Sequence, residues 1–198
     1  RQRQMCIRDS SGVSYVPMVE HMDILVTHGW EGSRKIIDRA KELNIPVWIY
    51  NTRYLRYSYG FYLWHIGAKG RLEWEYSGWG RFPHNPFSGR GNEAVAYPSP
   101  EGRIPIYQYE LIREGIDDYK YIYTLTSLIT EAEKSGKKEA RIAAEEARKC
   151  LAEIKAELEP LGYACKERSI RRSDIDIRVA RYRRKIVDAI LGLVEAGL

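Results

Sequence analysis

Between residues 21 and 76 the sequence alternates strand-sized apolar runs with segments of helical periodicity, and this alternation restricts the fold more than any other feature. "HMDILVTHG" (21–29) reads as a buried strand ending in a polar His-Gly turn. Over 31–44, Ile36, Ile37, Ala40 and Leu43 recur at helical spacing, with Ser33 as the expected N-cap and Asn44 before Ile45-Pro46 as the expected stop. "PVWIYN" (46–51) is apolar on both faces, the pattern of a parallel strand covered on both sides. A short helix is expected in "GFYLWHIGAKG" (60–70), closed by Gly70, and "RLEWEY" (71–76) completes the series as a third strand. Strand, helix, strand, helix, strand is the signature of parallel βα units.

Beyond Tyr76 a long segment rich in Gly, Pro and Asn is expected to be a loop, ordered by Trp79, Phe82, Phe87 and Tyr97. The remainder reads as helical. Over 107–136, Leu111, Tyr119, Ile122, Leu125 and Ile129 form an apolar stripe; a second helix over 137–160 ends at Pro160 and Gly162. A third, over 173–196, turns Ile177, Tyr182, Ile186, Ile190 and Val194 to one side. The chain divides accordingly into an α/β part over 11–136 and a helical extension over 137–198. Residues 1–10 stand apart. "QMCIRDS" is what the codons xAG ATG TGT ATA AGA GAC AGx encode, a string that resembles the transposase adapter end used in sequencing-library preparation. The segment is therefore expected to be translated adapter in a metagenomic fragment, and its reading leaves a secreted, periplasmic or cytoplasmic location equally open.

Hydrophobic content of 44% with 30% charged residues describes a globular chain and excludes a disordered one. No apolar run reaches membrane-spanning length, so no membrane partner is expected. The net charge of +5 concentrates in 166–185, dense in Lys and Arg. Such a helix is most simply a solvated face, and its alternative is a nucleic-acid or protein interaction module. Cys6, Cys150 and Cys165 lack metal-ligand spacing, as do His65 and His84, and Cys150 reads as a small core residue. "SGRGNE" lacks the helix and the Lys-Ser/Thr of a phosphate loop, so neither cofactor nor metal is expected.

In parallel βα architectures ligands bind at the C-terminal ends of strands. That rule selects His28-Gly29-Trp30, then Tyr50-Asn51-Thr52-Arg53, then residues 74–79 with the loop beyond; of these His28, Tyr50, Asn51, Trp74, Tyr76 and Trp79 are expected to line the site. Flat aromatic faces beside amide and guanidinium donors suit a sugar, whose apolar C–H face stacks while its hydroxyls meet the polar rim. A nucleobase would stack on the same faces. Trp64, inside a helix, reads as core, Trp74 suits either role, and Trp79 favours binding. Glu73 and Glu75 share a strand face. Such a pair can serve glycoside hydrolysis, but the favoured reading is that they meet basic residues such as Arg53 or Arg56, or lie near the strand end in water.

The runs "GFYLWHIGAKGRLEWEYSGW", "NPFSGRGNEAVAYPSPEG" and "YELIREGIDDYKYIYTL" resemble the C-terminal part of the glycoside hydrolase family 123 type catalytic domain. The matching features are Gly70, Leu72-Glu73-Trp74, Gly91, Tyr97-Pro98 and, most specific, Arg113-Glu114-Gly115-Ile116-Asp117-Asp118-Tyr119, within residues 22–125. The resemblance implies about three βα units from the end of a (β/α)8 TIM barrel, followed by the helical tail. It implies a glycan substrate and a retaining, substrate-assisted β-N-acetylgalactosaminidase-like activity on N-acetylhexosaminides. There the 2-acetamido oxygen attacks the anomeric carbon while an Asp-Glu pair on an earlier strand assists. No Asp-Glu dipeptide occurs in this sequence, so no catalytic residue is carried over, and the N-terminal part of the barrel is expected to lie in the parent chain. The family tends to have an aromatic residue where Glu73 stands. The isolated chain is expected to be inactive and, with open sheet edges, aggregation-prone. Arg113, Asp117 and Asp118 are expected to make helix-surface contacts that anchor the loop.

Overall fold

The computed structural model describes residues 13–28, 33–52, 54–73, 95–159 and 172–198. Strands β1 (Leu25–His28), β2 (Val47–Tyr50) and β3 (Gly70–Leu72) form a parallel sheet in chain order, with His28 opposite Tyr50 and Tyr50 opposite Leu72. Helix α1 (Arg34–Glu42) joins β1 to β2, while α2 (Leu55–Tyr59) and α3 (Phe61–Ile66) join β2 to β3. A 3-10 segment (Val13–His21) packs on α1. The long tail is helical: α4 (Tyr107–Lys134), α5 (Lys138–Leu158) and α6 (Arg172–Glu195). The fold is therefore mixed α/β, a small parallel sheet joined to a helical tail.

Several local signals resolve differently from expectation. Asn44 does end α1, in the left-handed region at φ 55°. Ser33 makes no capping hydrogen bond; its hydroxyl oxygen instead accepts one from the Thr27 hydroxyl at 3.1 Å, tying the end of β1 to the start of α1. The helix expected over 60–70 closes at Gly67, whose φ of 68° suits glycine, rather than at Gly70. Gly70 opens β3, because the Trp48 indole lies against it and a Cβ there would come within 2.7 Å of a ring carbon. The third strand ends at Leu72. Within the segment expected to be loop, β4 (Ala96–Ser99) and β5 (Gly102–Pro105) form an antiparallel hairpin. Pro98 and Pro105 read as strand breakers, but a two-stranded ribbon gives each strand a single partner and tolerates a missing N–H on the other side.

The tail follows a stricter rule than its stripes suggest. On α4 the buried positions Leu111, Gly115, Asp118, Ile122, Leu125, Ile129 and Ala132 advance in alternating steps of four and three. Ala140, Ala144, Ala147, Ile154 and Leu158 do the same on α5, with half-buried Leu151 between them. On α6 the buried face is Ile175, Val179, Tyr182, Ile186 and Leu193, so the expected stripe is corrected: Ile177 and Val194 face outward at 68% and 51% exposure. A 3.5-residue period keeps one seam against its partners, which makes a bundle of the coiled-coil kind. α5 and α6 run antiparallel: Lys137, just before α5, donates to the Gly197 carbonyl beyond α6, and Glu157 near the end of α5 pairs with Arg181. Cys150 is half-buried on this seam, its thiol directed at the Lys185 carbonyl at 3.8 Å, and burial pushes its pKa up. The core is continuous from sheet to tail, with the Phe61 and Tyr182 rings 5.3 Å apart.

Helices α2 and α4 approach closely at Gly115. A Cβ there would lie 2.5 Å from the Arg56 carbonyl oxygen and 2.8 Å from the Tyr59 Cβ. Gly115→Ala is expected to lower stability by about 2 kcal/mol through overpacking. Gly192→Ala, on α6 with no atom within 4 Å of the new Cβ, is expected to raise it by roughly 1 kcal/mol through helix propensity. Urea unfolding of the two variants measures both signs.

His65 of α3 supplies a pH dependence. Burial pushes its pKa below the ordinary value, Lys155 and Lys41 act in the same direction, and Glu159 at 3.4 Å opposes them. Its Nδ1 is buried without a hydrogen-bond partner among the described residues. The unfolded chain therefore binds the proton more readily than the folded one. Stability present above about pH 6.5 is lost as pH falls through the lower folded value. Thermal unfolding between about pH 7.5 and 5 should show this loss, and His65→Gln should flatten it.

Candidate functional site

The strand alternation sorts the sheet residues onto two faces. Leu25, Val47 and Ile49 face the helices and join one hydrophobic cluster with Ile36, Ile37, Ala40, Phe61 and Ile66. Val26, His28, Trp48, Tyr50 and Leu72 occupy the other face and stand outside that cluster. Apart from Val26 they are half-buried. At its C-terminal edge the His28 and Tyr50 rings lie 5.2 Å apart at an angle of 56°. Trp48 lies two residues below Tyr50 on the same face, against Gly70. Sequence reasoning missed it, although its period-two relation to Tyr50 was readable.

Asn51 follows Tyr50, exposed and at φ 52°, with its N–H donating to the Leu72 carbonyl at 3.2 Å. His28 and Tyr50 thus meet at the C-terminal end of the sheet, where Asn51 follows directly in the chain. Trp74, Tyr76 and Trp79 lie outside the described residues, as do Arg53, Glu75 and His84. Trp64 packs half-buried on the core, with the Lys155 ammonium 4.9 Å above its ring.

The Glu73 carboxylate accepts from Arg71 at 2.5 Å on the helix-facing side, and the expected partner Arg53 lies outside the described residues. Arg56 instead meets Asp118, and the expectation of a surface role for Asp118 is corrected. Its side chain is fully buried and accepts from the Arg56 Nε at 2.8 Å and from the Arg183 Nε. Arg183 also donates to the Glu114 carboxylate at 2.7 Å and to the Glu114 carbonyl at 2.8 Å. Two guanidiniums and two carboxylates balance. Burial pushes the Asp118 carboxyl above its ordinary value, and the arginine hydrogen bonds oppose that shift. Asp118 occupies a seam position of the bundle, so a polar group there demands partners that reach it. Arg113 and Asp117 do lie at the helix surface, where Arg113 pairs with Glu110, Glu114 and Asp117.

On α6, Arg181 and Lys185 pair with Glu157, and Arg183 is engaged as above, so much of the helix's basic charge is matched within the chain. Among the described residues no group of three or more His, Cys, Asp or Glu side chains is arranged to hold a metal ion, and no helix is long and apolar enough to cross a membrane. Comparison with protein-family models, curated proteins and solved structures found no match.

Asp118→Ala would take the carboxylate from Arg56 and leave Arg183 with Glu114 alone, both arginines having largely buried side chains. It is expected to cost about 3 kcal/mol, measured by urea unfolding. Arg113→Ala, at an exposed pair, is expected to change stability by less than about 0.5 kcal/mol.

Proposed function

We propose that this chain is the C-terminal part of a barrel glycoside hydrolase and contributes an aromatic sugar subsite, the catalytic pair belonging to an earlier strand of the parent protein. The observation that carries this reading is the meeting of the His28 and Tyr50 rings at the C-terminal ends of adjacent parallel strands, with exposed Asn51 next in the chain. Two features support the barrel form. The strands add in chain order, as successive strands of a (β/α)8 barrel do. The face bearing Val26, Trp48, Tyr50 and Leu72 lies outside the helix-packed cluster, and in a barrel that face would look inward. The ligand class is an N-acetylhexosaminide, with N-acetylgalactosamine as the test sugar. Its C–H face would stack on Tyr50, and its amide and hydroxyls would meet Asn51 and His28. The activity of the parent follows the resemblance: retaining hydrolysis assisted by the substrate's acetamido group.

Titrating the isotope-labelled chain with N-acetylgalactosamine should shift the amides of His28, Tyr50 and Asn51 with a Kd of about 1 mM, the strength of a single stacked sugar. Tyr50→Ala should weaken this at least roughly tenfold. Unmoved amides at all three positions at saturating sugar would sink the reading. The parent protein, assayed on an aryl β-N-acetylgalactosaminide, should turn it over while this chain alone does not.

A further inference from the structure

The segment carrying Asn51 is unusual in its backbone: Asn51 and Tyr54, neither of them glycine, both adopt the left-handed region, at φ 52° and 57°. Such conformations persist where surrounding contacts over-determine them. Directly beneath lies Arg71 of β3, its side chain 1% exposed. One guanidinium reaches three parts of the fold. Its Nη2 donates to the Thr52 carbonyl at 2.7 Å and to the Glu73 carboxylate at 2.5 Å, and its Nη1 donates to the Leu72 carbonyl. Its Nε lies 3.4 Å from the Ser58 hydroxyl on α2, and its plane sits 4.8 Å from the Tyr59 ring centroid, where burial pushes the phenol pKa up. A buried cation is expensive unless its donors are satisfied, and here the fork is filled by the β2–α2 connection, the end of β3 and α2.

We infer that Arg71 is the positioning residue of the sugar subsite: its guanidinium sets the conformation around Asn51, Thr52 and Tyr54 and thereby presents Asn51 to the ligand. The inference rests on the reading of this sheet end as a sugar site. Lysine keeps the charge for Glu73, but a single ammonium cannot span the Thr52 and Leu72 carbonyls and Ser58 together.

The test compares Arg71→Lys with Leu125→Ala, a buried substitution on α4 that lowers stability away from the sheet. With the chains folded, Arg71→Lys should shift the amides of Asn51, Thr52 and Tyr54 without ligand and weaken N-acetylgalactosamine binding at least roughly tenfold. Leu125→Ala should do neither. Loop amides of Arg71→Lys superimposing on the parent's, or an equal loss of affinity in Leu125→Ala, would overturn the inference. If the unaltered chain binds no sugar, the sugar reading falls, and the loop amides alone decide whether Arg71 sets this segment.

Discussion

Asp118 accepts hydrogen bonds from Arg56 on α2 and from Arg183 on α6 while none of its side chain is exposed to water. A carboxylate at a bundle seam position is unfavourable unless it is met there, so the demand for partners fixes two other elements around α4. Arg56 brings α2, and with it the end of the β2 connection. Arg183 brings α6, whose position in turn sets the partner of α5. Gly115, one helical turn earlier, lets this happen at close range: the Arg56 carbonyl occupies the space a side chain would need. The tail is thereby part of the same packed body as the sheet, continuous through Phe61 and Tyr182.

The same economy governs the other end of α2. Arg71 lies on the helix-facing side of β3, and its fork joins the strand end to the connection carrying Asn51. The opposite face presents Trp48, Tyr50 and His28 in a row. Charge is thus gathered on one side of the sheet, where it organises the backbone, and flat rings on the other. Glu73 belongs to the first side, turned toward Arg71.

The βα alternation was legible because strands and helices differ in period, and the runs around Ile36, Ile49 and Leu125 are long enough to show it. The α6 face was misplaced because Ile177 and Val194 are as apolar as Ile175 and Leu193; neighbouring helices, not apolarity, selected the seam. The β4–β5 hairpin was hidden by Pro98 and Pro105, whose cost depends on having a second partner strand. Of the site, the strand ends were readable from the rule for parallel sheets. Trp48 was not selected, since its exposure depends on Gly70 from the neighbouring strand.

By itself the sequence determined where the βα units and the long helices are and that the strands of the three-stranded sheet run parallel, because local periodicity, a left-handed Asn and apolar strand cores act within a few residues. Only the tertiary structure decided the partners. Asp118 finds Arg56 across 62 residues and Arg183 across 65. The sequence around each shows charge in abundance but no choice among its possible mates. Which pair forms depends on helix register and burial, and those exist only once the sheet and the bundle have packed together.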